Sequence, residues 1–247
     1  AGPGPGGAVN MGSDLSAEAL AEVMPERPVR TYLALISTEA DALAWARAGA
    51  PDGAVVVANH QTSPRGRAGT PWRTLPGQGL GFSLVLRPEL PPHREGWLYT
   101  VAASGLADAL GEGATIAWPD EVRRAGARAG AVAVRASAGV TAFEWVVVSV
   151  LVDEAIPPRA PLLRRAVEAI EARQRSSPED VLADYLPRCE TIGRPLRVRL
   201  QGAGHQRAEG RAVDARDDGA IVLETAPDKR GGVRPGDVYR LEAEPAS

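Results

Sequence analysis

Apolar residues along this chain fall into two patterns, short unbroken runs and helical stripes, and their order outlines a fold. The runs VRTYLALI (29–36), GAVVVAN (53–59), GLGFSLVL (79–86), ATIAW (114–118), GAVAVRA (130–136) and FEWVVVSVLV (143–152) are rich in β-branched residues and bounded by turn residues, so each predicts a strand. A short Ser-Ala-Gly turn between the last two predicts that they pair antiparallel. The stripes predict helices. TEADALAWARAGA has Thr38 as its cap, Asp41 in its first turn and Gly49 near its stop; GWLYTVAASGLADAL places Trp97, Val101, Ala102, Leu106, Ala109 and Leu110 on one broad face. Beyond Pro157, Pro158 and Pro161, LLRRAVEAIEARQR repeats Leu163, Ala166, Val167 and Ile170 at helical spacing. Ser177-Pro178-Glu179-Asp180 opens another helix that should run to about Leu186, before Pro187.

A run of strands with two helices on one side predicts an α+β fold with a mixed sheet, not a doubly wound parallel one. From Gly193 the strands shorten (LRVRL, RAEGRAVDAR, AIVLET, DVYRLEAE) and are joined by Asp-Asp-Gly and Pro-Gly turns, the pattern of a small barrel. The expected organisation is a tail over 1–26, disordered or carrying a short helix in SAEALAEVM, a main domain over 27–188, and a small β domain over 193–247.

Composition narrows the function classes. With 28 basic and 31 acidic residues the chain lacks the cationic excess of a nucleic-acid binder. No apolar run is long enough to cross a bilayer, and the first residues, Gly/Pro-rich up to Met11, lack the pattern of a secretory signal. One cysteine, Cys189, allows no internal disulfide, so a cytoplasmic protein is expected. His60, His93 and His205 lie far apart, and no metal site is expected.

The stretch that carries chemistry is Gln61-Thr62-Ser63-Pro64-Arg65-Gly66-Arg67-Ala68-Gly69-Thr70-Pro71-Trp72, a loop following a predicted strand. Its glycines permit close backbone approach to a ligand, and its two arginine forks suit carboxylate or phosphate oxygens. His60, one residue ahead of it, is a candidate acid or base.

This loop resembles the adenylate-binding loop of biotin protein ligases, which has Gln, a spacer, Arg-Gly-Arg, a further Gly and Trp in the same order. The resemblance extends over about 29–243 and includes an SH3-like C-terminal domain. It implies a biotin/lipoate-ligase-like core binding a small carboxylic acid or its acyl adenylate, with Ser37, Thr38, Gln61, Arg65, Gly66, Arg67, Gly69, Trp72, Trp118 and Gly130 as ligand contacts. It also implies ATP with Mg, or a preactivated acyl donor, as co-reactant, biotin as one candidate acid, a carrier protein as acceptor, and a homodimer as one possible assembly. No DNA-reading segment is expected ahead of Val29.

The chain departs from the family where its chemistry lies. Ala117-Trp118-Pro119-Asp120-Glu121 stands where biotin protein ligases have Lys-Trp-Pro-Asn-Asp, with a lysine that stabilises phosphate charge. Ala127-Arg128-Ala129-Gly130 keeps the glycine of a second motif and loses its lysine, leaving Arg128 as a candidate replacement. Glu39 replaces the usual Asn after Ser37-Thr38, and Pro64 replaces a loop glycine. The resemblance therefore leaves two readings, a relative with altered ligase or acyl-transfer chemistry and a non-catalytic scaffold; an active biotin ligase is disfavoured.

Overall fold

The structure is a computed structural model and describes residues 13–73, 77–153, 155, 157–202 and 206–242. The residues ahead of Met11 and His205 lie outside these. The main sheet has seven strands, β1 (Val29–Tyr32), β2 (Val55–Ala58), β3 (Leu80–Leu86), β4 (Ala114–Ala117), β5 (Glu121–Arg124), β6 (Ala127–Ala138) and β7 (Phe143–Val152). Their spatial order is β1-β2-β3-β7-β6-β5-β4; β1 and β2 are parallel and every other neighbour pair is antiparallel. The mixed α+β expectation holds, as does the antiparallel pairing of β6 with β7.

Among the described residues five α-helices flank the strands: α1 (Ala17–Val23), α2 (Thr38–Arg47), α3 (Glu95–Leu110), α4 (Ala160–Arg175) and α5 (Pro178–Arg188). One sheet face, with Val55, Val57, Phe82, Leu84, Val132, Val148 and Val150, packs against Leu106, Leu163 and Ile170 of α3 and α4. On the other face Ala42 and Ala46 of α2 cover Val56, Val85 and Val147. The expected placement of the first two long helices on one side is thus corrected: α2 and α3 lie on opposite faces. Strands buried on both sides read as continuous apolar runs, and such runs do not say which face a helix takes. Gly105 lets α3 and α4 meet closely, since a Cβ there would lie 2.6 Å from Ile170 Cα.

The N-terminal helix is part of the folded body. Ser16 caps it by accepting from Ala19 N–H, and Leu15, Leu20 and Met24 are buried in the main core. Two helix ends differ from expectation. Ser37, not Thr38, is the cap of α2, accepting from Glu39 N–H, which releases Thr38 for the interior. In α5 the last turn continues through Pro187 to Arg188, because a proline there forfeits only a hydrogen bond near the helix end.

A second, antiparallel sheet has five strands, β8 (Pro195–Leu200), β9 (Arg207–Ala215), β10 (Ile221–Ala226), β11 (Lys229–Val233) and β12 (Val238–Leu241), in the order β11-β10-β9-β8-β12. It docks on the main body through close backbone contact: a Cβ on Gly219 would lie 2.1 Å from the Gly96 carbonyl. Arg94 donates to the Asp217 carbonyl, and the Trp118 indole N–H donates to the Gly219 carbonyl at 3.2 Å. No helix among the described residues is long and apolar enough to cross a membrane.

Candidate functional site

The loop after β2 folds down onto the same sheet face as α2, beside that helix. Trp72 is buried there against Ala131, Ala133 and Leu151. Gly66 is required beneath it, because a Cβ would lie 2.3 Å from the indole nitrogen. The loop is stitched to the segment after β1 by backbone bonds from Leu35 N–H to the His60 carbonyl and from Thr62 N–H to the Leu35 carbonyl.

Below the loop is a buried polar relay. Gln61 Oε1 accepts from Thr38 N–H at 2.7 Å and from Thr38 Oγ1 at 3.1 Å. Thr38 Oγ1 lies 2.9 Å from Ser83 Oγ, and Ser83 Oγ lies 2.9 Å from Ser149 Oγ. Since Thr38 donates to Gln61, it accepts from Ser83, and Ser83 accepts from Ser149. The Gln61 amide nitrogen lies over Gly81, where a Cβ would come within 2.1 Å of it. Ser83 and Ser149 are register partners on β3 and β7. Their only signal in the sequence is a lone serine within each of the apolar runs LGFSLVL and VVVSVLV.

Beside the relay is a cleft of about 320 Å³ whose walls include Arg67, Trp72, Trp118, Asp120 and Arg128, together with Tyr239 of β12. Arg67 is buried and already engaged. Its Nε donates to Asp120 Oδ1 at 3.0 Å and its NH1 to the Val238 carbonyl of β12. Within the chain, Asp120 thus supplies this arginine with an anion, and the small sheet supplies a second acceptor. Burial pushes the Asp120 carboxyl upward from its usual range, with Arg67 opposing. The Tyr99 phenol, also buried, is pushed up to about 12. Arg128 is held by two bonds to Asp153, and Arg123 lies between Glu121 and Glu190.

The other candidates are dispersed. Arg65 and Gly69 are exposed, with Arg65 reaching back to the Gly69 carbonyl at 3.4 Å. Trp118 lines the cleft but is fixed as a wall between the two sheets. Gly130 faces α3, since its Cβ would lie 3.1 Å from Leu106 Cδ2. Ser37 is spent on the α2 cap. His60 Nδ1 and Glu39 Oε2 are buried without a hydrogen-bond partner, and burial raises the Glu39 carboxyl, with Arg135 opposing. The chain's single lysine, Lys229, stands exposed on β11, so every cation at the cleft is an arginine.

No family model matches the sequence. The chain is 32% identical over 235 residues to a biotin–[acetyl-CoA-carboxylase] ligase of Mycobacterium tuberculosis, covering 83% of this chain and 86% of that protein. It is 37% identical over 92 residues to the bifunctional ligase/repressor BirA of Bacillus subtilis, a match spanning 28% of that protein. Among solved structures it is similar to a biotin protein ligase from Aquifex aeolicus in complex with biotin and ATP, with TM-score 0.70, 19% identity, and 88% and 99% of the two chains covered. A biotin protein ligase-like protein of unknown function from Silicibacter gives TM-score 0.61 at 17% identity, covering 83% of this chain and 94% of the other. With a relative at 32% identity over 83% of this chain and 86% of its own length, and with the fold shared, the chain belongs to the biotin protein ligase family.

Proposed function

We propose that this chain binds a small carboxylic acid, or the acyl adenylate made from it, under the loop that begins at Gln61, with ligase chemistry altered from that of its relatives. The relay from Ser149 to Gln61 offers fixed polar groups for the head of such an acid, and the cleft beside it offers room for the activated end. The observation that carries the reading is the pairing of Arg67 with Asp120. In a cleft with Ala117 at the lysine position, the arginine best placed for a phosphate is neutralised by the chain's own carboxylate. A preorganised cation in a dry site is worth on the order of 10²–10³ in rate, so adenylate formation from ATP is slow here. The acid is instead taken in activated form, as an acyl adenylate or thioester, and passed to an amine to form an amide, with AMP or the thiol leaving. Biotin is the first acid to test, because the A. aeolicus relative is bound to biotin and ATP.

A second reading, a scaffold that binds without catalysis, is favoured by three of the four arginines lining the cleft, Arg67, Arg123 and Arg128, each facing a carboxylate. One panel separates the two. Melting is followed with biotin, biotinyl-AMP, lipoate, ATP and acyl-CoA esters, and the stabilising ligand is then offered to carrier protein. Ligand at 100 times its Kd adds about 2.7 kcal/mol, equivalent to roughly 5–10 °C for a chain of this size. Stabilisation by an acyl adenylate with transfer to an amine supports altered chemistry, and stabilisation without transfer supports the scaffold. Ordinary turnover with biotin and ATP, or no response to any acid or adenylate, sinks the proposal.

A further inference from the structure

The loop that carries Gln61 and Arg67 leaves the sheet at Asn59, directly after β2, and returns at Gly79, directly before β3. Both stems converge on one side chain from a distant part of the chain. Arg159, at the start of α4, is 2% exposed, yet four of its five N–H groups are paired. NH2 donates to Asn59 Oδ1, and NH1 donates to the Gly79 carbonyl at 3.2 Å. Nε and NH2 grip the two Asp14 oxygens at 2.8 and 2.7 Å, and Asp14 also accepts from Arg159 N–H at 2.8 Å.

A buried guanidinium is costly to desolvate and persists only where geometry and counter-ion are both supplied. Packing alone does not call for one here. The nearby sheet face and the buried face of α4 are apolar, and a leucine or methionine would fill the volume without a carboxylate brought from the N-terminal segment. What an arginine adds is a rigid planar fork that fixes two acceptors relative to each other. Those acceptors are the two ends of the ligand loop. The Gly79 stem runs close against the end of β7 in a backbone conformation that favours glycine, with φ +72° and room for no Cβ, which would lie 2.7 Å from the Val152 carbonyl.

We propose that Arg159 is a positioning residue for the ligand loop, holding the stems at Asn59 and Gly79 in one spacing with Asp14 as its counter-ion, so that the N-terminal segment helps set the geometry of the binding site. The proposal rests on the reading of this loop as the ligand loop only for its effect on affinity; the effect on loop order stands apart from it.

The test is amide hydrogen exchange on the full chain, comparing wild type with Arg159→Lys and Asn59→Ala. Lysine keeps the charge for Asp14 but cannot span both stems, and Asn59→Ala removes one stem contact while leaving the buried ion pair intact, so one variant remains if the other fails to fold. Exchange within 59–73 and 77–79 should accelerate roughly tenfold or more in each, while the centres of β6 and β7 stay protected. Affinity for whichever probe stabilises the wild type, with biotinyl-AMP first, should fall by a similar factor. Unchanged exchange at the stems, or a uniform rise across β6 and β7 in both variants, overturns the positioning role. If exchange changes as expected and no probe binds even the wild type, it is the ligand reading that fails and the positioning role stands.

Discussion

Arg67 and Asp120, 53 residues apart in sequence, meet at 3.0 Å inside the cleft that would receive an activated acid. The chain therefore carries its own anion in front of the arginine best placed to bind one. Under the proposed function, an incoming phosphate would have to displace a resident carboxylate or lie beside it, and either would raise the barrier to using ATP.

Replacing that carboxylate by its neutral isostere should tighten anion binding. Asp120→Asn still offers Arg67 Nε an amide oxygen but removes a negative charge a few ångströms from the ligand. At an effective dielectric suited to a partly buried site, this is worth about 1–2 kcal/mol, or roughly tenfold in Kd for an acyl adenylate. Calorimetric titration of wild type and variant checks it; equal or weaker binding by the variant would show that Asp120 does not compete for Arg67.

Restoring one lysine should not restore a ligase. Biotinylation of a carrier protein with ATP should run at least about 100-fold below typical enzyme rates in the wild type. Ala117→Lys alone should leave it there, because Asp120 and Glu121 would capture the new ammonium. Ala117→Lys combined with Asp120→Asn should gain over both singles. A single-site Ala117→Lys enzyme with ordinary turnover would mean that the acidic pair is harmless.

The two aspartates also predict opposite dependences on pH. Hydrogen bonds from Arg159 hold the Asp14 carboxyl below the usual carboxylate range. Its folded pKa lies below the unfolded value of about 3.9, so its contribution to stability is complete above that value and is lost as pH falls through the folded one. Asp120 is pushed upward by burial, so the fold gains from its proton at low pH and loses that gain as pH rises through its folded pKa. Melting curves should show Asp14→Asn flattening the acid limb. The melting temperature of Asp120→Asn relative to wild type should climb as pH rises from the unfolded carboxyl value of about 3.9 through the raised folded one. Parallel profiles for all three proteins would contradict both assignments.

Much of the fold is legible in the sequence because the strands flanking the site are buried on both faces. VVVA, LGFSLVL and VVVSVLV allow little else, and Gln61, Arg67 and Trp72 stand in a recognisable order. Other elements were hidden by local chemistry. The β5–β6 hairpin turns through Ala125 and Gly126 at positive φ, and alanine at the first position masks the usual turn signal. In β11 two glycines of KRGGV read as loop. The relations that give the site its character are long-range: Ser83 with Ser149, Arg67 with Asp120, Arg159 with Asp14. In each the sequence displays both residue types and nothing that pairs them. Asp120 reads in the sequence as added negative charge at a nucleotide site; only its contact with Arg67 makes it a clamp.

The relay can be tested through the glycine beneath it. A Cβ at residue 81 would lie 2.1 Å from the Gln61 amide nitrogen, so Gly81→Ala must push that amide off Thr38 or move β3. Overpacking of this kind costs about 1–3 kcal/mol, and the displaced Gln61 should also cease to present its head group. Binding and stability should therefore fall together. Full affinity in a destabilised Gly81→Ala protein would remove Gln61 from the site.

The junction between the sheets supplies the last prediction. Gly219 has φ +79°, and a Cβ there would lie 2.1 Å from the Gly96 carbonyl, while its own carbonyl accepts the Trp118 indole N–H. Gly219→Ala therefore strains the backbone, forces α3 and the β9–β10 turn apart, and weakens the bond that fixes Trp118, for a combined loss of roughly 2–4 kcal/mol. That corresponds to a melting temperature lower by about 5–15 °C. Because Arg67 reaches across to the Val238 carbonyl of the small sheet, the loop should loosen as well, with faster amide exchange over 64–72 than in a Trp118→Phe variant, which loses the indole bond without separating the backbones. Should Gly219→Ala melt like the wild type with its loop equally protected, the small sheet is not what holds Arg67 in place, and Asp120 alone closes the loop.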